Sequence, residues 1–486
     1  MDEKASARIV GNSGVYLAGQ LFSRAFDVVT ILILARYLGV RDFGKFSFAF
    51  SYVGLFSVFI DWGVYFILIR ETSRPGSRGP ALLGSGIALK FALSSLAIVI
   101  TGASVFLLPY SKEIRILVAI VSFNLLVSFR LPSFRDIFEV PLIARLKMRF
   151  SAAASVLNRI LTFIAITTVI LLKGPLWVLA LVYTWISLPA LLLIASWAMR
   201  EIRPVFGNAT RNWAYLLKEG FPLGLSGIFY ILVSQFDIFL LSQTWSVQEI
   251  GLYNAARRLT EPLELIPSAI SFSLLPMMSQ LSYENISERT KLYAKSLLFV
   301  LLGAPLLIAI LVLGSRPLVH LLFGGNFASA EPSLIILSFY LPFIFAFQMT
   351  SNVFIATNRQ KTALYIWLPA FLLNVGLNSV LVPRFSFVGA SWSRLITGVF
   401  VTVLGWIFVS KFVGRVPFVP MIKIAGLAVP LILALKFYVP LGPVASIGVF
   451  LLLYGGGIFA LKILSPEDKD FLKKFLRPKR IRLKSA

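Results

Sequence analysis

The sequence predicts an all-α integral membrane protein with about fourteen transmembrane helices. Hydrophobic residues make up 58% of the 486-residue chain, and its mean hydropathy is +0.86. A soluble protein of this size could not bury that much apolar surface. The apolar runs reach roughly 20 residues, the length of a membrane-spanning helix, whereas the strands of a membrane β-barrel alternate apolar and polar residues over about ten. The spans are therefore predicted to be helices.

Windows of about 20 residues indicate fourteen spans joined by short loops. The first span begins near Val10, has no convincing small-residue cleavage site and is followed at once by the second. We therefore expect a retained signal anchor. The fourth, eighth and tenth spans are the least purely apolar. The predicted spans are 11–36, 44–69, 81–108, 114–138, 150–172, 176–198, 215–242, 250–280, 291–314, 331–357, 362–382, 387–411, 421–439 and 443–463.

Lysine and arginine are concentrated in alternate loops, with roughly 29 on one side of the membrane and 8 on the other. Because basic loops stay in the cytoplasm, we expect both termini there and an even number of spans. The same bias accounts for most of the net charge of +25. A nucleic-acid partner is not expected, because the chain has no basic soluble domain to bind one.

The C-terminal segment is predicted to be a basic amphipathic helix on the anionic inner leaflet. Ser465 and Pro466 are typical of a helix start, as N-cap and first helical residue. The chain has no cysteine and one histidine, which excludes disulfides, thiolate metal sites and a histidine cluster. We expect no metal and no cofactor.

Spans 1 and 7 carry similar sequences. Residues 22–28 (FSRAFDV) align with 232–238 (LVSQFDI) and, after three skipped residues, 40–46 (VRDFGKF) align with 247–253 (VQEIGLY). Copies six spans apart enter the membrane in the same direction, which predicts two six-helix lobes related by a pseudo-twofold axis along the membrane normal. The predicted division is an N-lobe at 1–199, a cytoplasmic linker at 200–213, a C-lobe at 214–413, two further helices at 414–464 and the tail at 465–486.

Two stretches resemble a known family. Residues 34–71 hold the pattern R-x-LG-x-x-x-F-G between spans 1 and 2, and D-x-G near the end of span 2. Both patterns are similar to those of polysaccharide and oligosaccharide flippases in the multidrug/oligosaccharidyl-lipid/polysaccharide exporter superfamily. Residues 249–276 resemble the opening of that family's second lobe. The resemblance covers spans 1–12 and implies two bundles around a central cavity, with alternating access by rocking of the lobes.

Charged residues inside the predicted spans are the candidate site, because a charge at membrane depth costs about 3 kcal/mol on insertion scales. Several lie on polar helix faces that cannot contact lipid. The predicted substrate-binding residues are Arg24, Lys90, Arg159, Arg257, Arg258 and Arg394. The predicted coupling or counter-charge residues are Asp27, Asp61, Asp237, Glu261 and Glu264.

Some of these charges also have a purely structural explanation. Arg24 could neutralise Asp27 one turn away, and Arg257 could pair with Glu261. The long stem of Lys90 could carry its charge to an interface. For these residues the structural and the functional explanation both stay open, because spacing along one helix does not exclude a partner on another.

Other charges lack a partner on their own helix. Arg159 has no acid within one turn, so its partner must come from another span. Asp237 has no base within one turn, and Arg257 or Arg258 of span 8 are its expected partners. Arg130 either marks the cytoplasmic end of a short span or lies at depth with the others.

The function expected from the cationic residues and from the resemblance is that of a flippase. It would move a polyisoprenoid-diphosphate oligosaccharide from the inner to the outer leaflet of the cytoplasmic membrane, for assembly of cell-surface polysaccharide or glycan. Arginines suit the phosphates. The expected partners are the lipid-linked oligosaccharide, membrane lipids and polysaccharide polymerase or ligase machinery. Na⁺ or H⁺ is the expected coupling ion, since no nucleotide-binding motif is present.

Two alternatives remain. A drug or metabolite exporter of the same superfamily would favour an acid-rich cavity, and the surplus of bases within the spans argues against it. A membrane glycosyltransferase or polymerase acting on lipid-linked sugars would need a large outer loop, and no predicted outer loop exceeds about 20 residues. We therefore expect a transporter and not an enzyme.

Overall fold

The computed structural model describes residues 3–73, 78–207, 209–267, 286–357, 359, 361–414 and 419–468. Every secondary-structure element in these ranges is helical, which confirms the all-α class. The α-helices are α1 Glu3–Phe56, α2 Val64–Thr72, α3 Gly79–Leu107, α4 Lys112–Ser122, α5 Asn124–Val127, α6 Glu139–Ala144, α7 Met148–Leu171, α8 Leu176–Trp185, α9 Leu188–Glu201, α10 Trp213–Thr244, α11 Val247–Thr260, α12 Ile286–Leu313, α13 Ser315–Phe323, α14 Glu331–Ala356, α15 Thr362–Val413, α16 Val419–Phe437 and α17 Pro443–Ala460. The 3-10 turns are Ser57–Phe59, Phe134–Phe138, Ala209–Asn212, Glu261–Glu264 and Gly325–Ala330.

Within the described ranges, nine helices are long and apolar enough to cross a membrane, or ten if one bent pair counts as a span. Two helices are too long for a single crossing. The 52 residues of α15 would extend about 78 Å, more than twice the hydrocarbon thickness. This helix is broken at Ser386 (φ 54°), and α1 is broken at Gly39 (φ 67°). Each therefore supplies parts of two predicted spans, and the expected fourteen spans are compatible with the structure.

The described chain packs as two compact units. The first comprises Met1–Leu265, Val319–Leu337 and Arg359–Val401, and the second comprises Ile266–Leu318, Ser338–Asn358 and Thr402–Ala486. The first unit has a core of buried aliphatic and aromatic side chains from α2, α3, α6 and α9. The division into lobes was inferred from sequence symmetry, not from contact density, and it stays a prediction.

Span 4, predicted as one helix over 114–138, is broken in the structure. After α4 and the single turn of α5, the chain is extended at Ser128 and resumes as a 3-10 turn beyond Pro132. The Ser128 hydroxyl accepts hydrogen bonds from the backbone N–H groups of Arg130 and Leu131, and the Ser133 hydroxyl donates to the Ser128 carbonyl. A break at membrane depth is stable only when its backbone groups are satisfied in this way.

Span 2 is also interrupted. The 3-10 turn that follows α1 leads to Gly63, which has φ 79° and allows the chain to bend by 55° before α2. Helix α10 packs directly on this break. A Cβ atom on Gly63 would lie 2.2 Å from the carbonyl oxygen of Gly220, and one on Gly224 would lie 2.3 Å from the carbonyl carbon of Trp62. Only glycines permit this approach of two backbones.

The aligned segments of the repeat contact each other reciprocally. A Cβ on Gly44 would lie 1.8 Å from the carbonyl oxygen of Val247, and one on Gly251 would lie 2.3 Å from the carbonyl oxygen of Val40. In the sequence alignment Gly44 corresponds to Gly251, and Val40 corresponds to Val247. Reciprocal contacts of this kind are what a twofold relation requires. The packing of α1 on α11 therefore supports the repeat at these positions.

The predicted start of the C-terminal helix is confirmed. The Ser465 hydroxyl accepts a hydrogen bond from the Asp468 backbone N–H at 3.1 Å, and the Asp468 carboxylate accepts one from the Ser465 N–H at 3.0 Å. This reciprocal pair is a capping box. The rest of the predicted amphipathic tail lies outside the described residues.

Candidate functional site

A polar cavity of about 240 Å³ lies inside the first unit. Its walls come from α1, the broken part of span 4, α7, α8, α10 and α11. Aromatic and aliphatic side chains line part of it, and the rest carries charge. The charged lining residues are Arg24, Asp27, Arg130, Arg159, Arg257, Arg258 and Glu261.

Asp27 is the centre of the first charged cluster. The Arg130 guanidinium donates to Asp27 Oδ1 at 2.8 and 3.1 Å, and Arg159 Nη1 lies 3.1 Å from the same oxygen. Arg159 also donates to the Phe129 carbonyl at 3.0 Å, so two contacts orient its guanidinium. The sequence suggested Arg24 as a partner of Asp27, whereas the ion pairs found at Asp27 are with Arg130 and Arg159. Arg24 is exposed and lines the cavity, while the two arginines from other spans pair with Asp27.

Arg130 was not among the predicted binding residues, although its depth left the question open. The break in span 4 places it: the chain leaves the helix at Ser128, and Arg130 extends from this segment over the ring of Tyr183, 4.2 Å from the centroid. The guanidinium is therefore held between a carboxylate and an aromatic face. The sequence feature that could have identified Arg130 is a basic residue two positions before Pro132, in one of the least apolar predicted spans.

Asp237 is the centre of the second cluster and is 2% exposed. The Tyr253 hydroxyl donates to Asp237 Oδ2 at 2.5 Å, and guanidinium nitrogens of Arg394 and Arg257 lie 3.6 and 3.8 Å from its oxygens. Arg257 also pairs with Glu261 at 2.6 Å, so it bridges two carboxylates. The expected contact of Asp237 with Arg257 is present.

The two clusters follow the same plan. The two aspartates occupy equivalent positions of the aligned segments, and each faces two arginines from other parts of the chain. Around the cavity, five arginines stand against two carboxylates. The lining therefore carries a surplus of planar cationic donors, a composition suited to a phosphate or a carboxylate.

Lys90 and Asp61 lie elsewhere. Lys90 is fully buried on α3, with its ammonium 3.9 Å from Asp61 and 5.9 Å from the centroid of the Tyr65 ring. Its charge is matched inside the protein and does not extend to an interface. Neither residue lines the cavity, so the geometry lends no support to their predicted roles in substrate binding and coupling.

Three of the predicted residues, Asp237, Glu264 and Arg394, do not line the cavity themselves. Arg394 and Asp237 lie behind Arg257, and Glu264 follows Glu261 on the 3-10 turn after α11 without lining the cavity. Over the described ranges, no group of three or more histidine or acidic side chains is arranged to hold a metal ion.

Two family models match more than half of the chain each. The model described as polysaccharide biosynthesis protein matches residues 9–282, and the one described as lipid II flippase MurJ matches residues 150–447. A curated relative, the probable low-salt glycan biosynthesis flippase Agl15 of Haloferax volcanii, is 24% identical over 403 residues, which cover 81% of this chain and 82% of the relative.

Solved structures show the same fold. A structure of the lipid II flippase MurJ in an inward closed conformation has a TM-score of 0.73 at 16% identity and covers 94% of this chain and 99% of its own. The multidrug transporter DinF-BH has a TM-score of 0.59 at 14% identity, with coverage of 84% and 96%. At these identities the likeness concerns the fold alone.

Proposed function

Since this chain belongs to the polysaccharide biosynthesis protein family and matches the lipid II flippase model over much of its length, we propose that it is a flippase for a lipid-linked oligosaccharide. It is a multi-pass membrane protein of the multidrug/oligosaccharidyl-lipid/polysaccharide exporter superfamily. Its substrate would be a polyisoprenoid diphosphate that carries a glycan. The head group would cross the membrane through the polar cavity while the lipid tail stays in the bilayer.

The arginine surplus of the cavity carries this proposal. A diphosphate needs several cationic donors at once, and five arginines line this one cavity: Arg24, Arg130, Arg159, Arg257 and Arg258. Asp27 and Asp237 act as counter-charges: they hold their arginines in place when no anion is bound. As the phosphates arrive, these pairs would loosen and the arginines would bind the phosphates instead. Because the aspartates already orient the arginines, little further ordering of the site is needed for binding.

The size of the cavity implies movement. Ligand pockets usually hold about 300–1,000 Å³, and the 240 Å³ found here does not accommodate a diphosphate together with an oligosaccharide. The cavity must therefore widen for the glycan to pass. Alternating access, with one end opening while the other stays closed, is the mechanism we propose, with Na⁺ or H⁺ as coupling ion.

A drug exporter is the second candidate, favoured by the fold shared with the multidrug transporter DinF-BH. The charge of the cavity argues against it, because a surplus of arginines repels an organic cation. An enzyme acting on lipid-linked sugars is the third candidate, and in the described part of the chain the short loops between the helices hold no separate catalytic domain. We therefore propose a transporter.

The test uses purified protein in liposomes that contain an isoprenoid-diphosphate-linked oligosaccharide. We expect the glycan to become accessible to a membrane-impermeant glycosidase at the opposite leaflet in a protein-dependent manner. We expect no accumulation of a fluorescent organic cation in the same liposomes. Uptake of that cation without glycan movement would contradict the proposal and favour the exporter.

We also propose an orientation with both termini in the cytoplasm, in the cytoplasmic membrane, supported by the loop charges. A reporter that is active only in the cytoplasm, fused after Ala486, is expected to be active. Activity instead of a reporter that works only outside would contradict this topology. Polysaccharide polymerase or ligase machinery stays a predicted partner, because the transported glycan has to be used at the outer face.

A further inference from the structure

A second cavity, of about 410 Å³, lies inside the second unit, on residues that the flippase mechanism does not use. It is formed by the first turns of α12 and α16 and by the start of the C-terminal helix. Its polar lining consists of Lys291, Lys295, the carboxylate of Asp468 and two hydroxyl side chains. Its floor is apolar and includes Leu298 and Met421.

The ion pairs that join the two lysines to acidic side chains are long. The Lys295 ammonium lies 3.5 Å from Glu467 Oε2 and 4.0 Å from Asp468 Oδ1, and Lys291 lies 3.2 Å from Glu288. A tight charge-assisted hydrogen bond would measure about 2.7–2.9 Å. The side chain of Glu467 is 82% exposed, so solvent competes for this pair. An incoming anion would therefore compete with the carboxylate of Glu467 at a solvent-exposed contact.

The cavity has the amphipathic composition of a lipid site. Lys295 is one turn from Leu298 on α12, so a molecule bound to its ammonium also touches apolar surface. The three segments meet at one membrane face, because α12 and α16 begin there and the chain returns there after α17. The loop charges predict that this face is cytoplasmic, where membranes carry anionic lipids.

We propose that this cavity binds an anionic phospholipid. Its phosphate would contact Lys291 and Lys295 and displace Glu467, and its acyl chain would lie along Leu298 and Met421. The sequence after Asp468 adds eight further lysines and arginines, which the same leaflet attracts. The site would anchor the second unit to the leaflet on which the substrate is loaded.

The test uses the full chain in nanodiscs of neutral phosphatidylcholine into which phosphatidylglycerol is titrated, with native mass spectrometry to count the lipid retained. We expect preferential retention of phosphatidylglycerol by the wild type. Each lysine removed in Lys291→Gln and Lys295→Gln is expected to lower its affinity by about fivefold. Glu467→Gln is expected to raise the affinity, because it removes the competing carboxylate.

Lys436→Gln is the matched control. Lys436 ends α16 at the other face, where it donates to the Ser315 hydroxyl at 2.9 Å. We expect this variant to retain phosphatidylglycerol like the wild type. Equal retention by Lys436→Gln and the double variant Lys291→Gln/Lys295→Gln would overturn the proposal. So would competition by millimolar inorganic phosphate as effective as that by lipid, because the site would then bind a free anion and not use its apolar floor.

Discussion

Replacing Arg257 with alanine is expected to reduce glycan transport by at least about a hundredfold. Arg257 lines the cavity, lies 3.8 Å from Asp237 and pairs with Glu261 at 2.6 Å. Its removal deletes a phosphate donor and leaves the buried Asp237 and the partly exposed Glu261 each short of a partner. Breaking a fully buried pair costs about 3–5 kcal/mol. The measurement is the initial rate of glycan translocation in liposomes, with Arg257→Lys as the charge-preserving variant.

A double variant separates binding from structure. In Arg257→Ala/Glu261→Gln the carboxylate with the shorter contact to Arg257 is also neutralised, while Asp237 keeps Tyr253 and Arg394, so part of the lost stability is expected to recover. Transport is expected to stay low, because the phosphate donor is still missing. If the double variant transports like the wild type, Arg257 serves only to neutralise Glu261, and the proposed anion site loses its central residue.

Replacing Gly251 with alanine is expected to destabilise the folded protein by about 3 kcal/mol, at the upper end of what overpacking costs. The new methyl group would lie 2.3 Å from the carbonyl oxygen of Val40, and a backbone atom cannot rotate away as a side chain can. Gly44→Ala is expected to be at least as severe, because its Cβ would lie 1.8 Å from the carbonyl oxygen of Val247. Thermal unfolding of the purified protein in detergent measures both.

Gly227→Ala is the control for this pair. Gly227 is on α10, and a Cβ there would meet no atom within 4 Å. Alanine is the better helix former by up to about 1 kcal/mol, so this variant is expected to melt at the same or a higher temperature. Unfolding of Gly251→Ala at the same temperature as Gly227→Ala would show that α1 and α11 do not need this close approach.

Much of the fold could be predicted because it depends on local composition. In a bilayer each backbone group needs an internal partner, which allows helices or closed barrels, and apolar runs of about 20 residues are those of helices. The repeat could also be aligned, and the reciprocal contacts of Gly44 and Gly251 agree with it. The break in span 4 was not predicted, because it depends on hydroxyl groups such as that of Ser128, which satisfy the backbone there.

The sequence by itself determined which charges are candidates, since a base or acid at membrane depth stands out against apolar neighbours. The spacing along one helix indicated the pair of Arg257 with Glu261, but only the tertiary structure decided the partners of the other charges. Asp27 forms its ion pairs with Arg130 in the break of span 4 and with Arg159 on α7, instead of with Arg24 on its own helix, and Lys90 lies against Asp61 away from the cavity. The physical reason is that a desolvated charge is stabilised by the opposite charge nearest in space, and helix packing, not spacing along the chain, sets that distance.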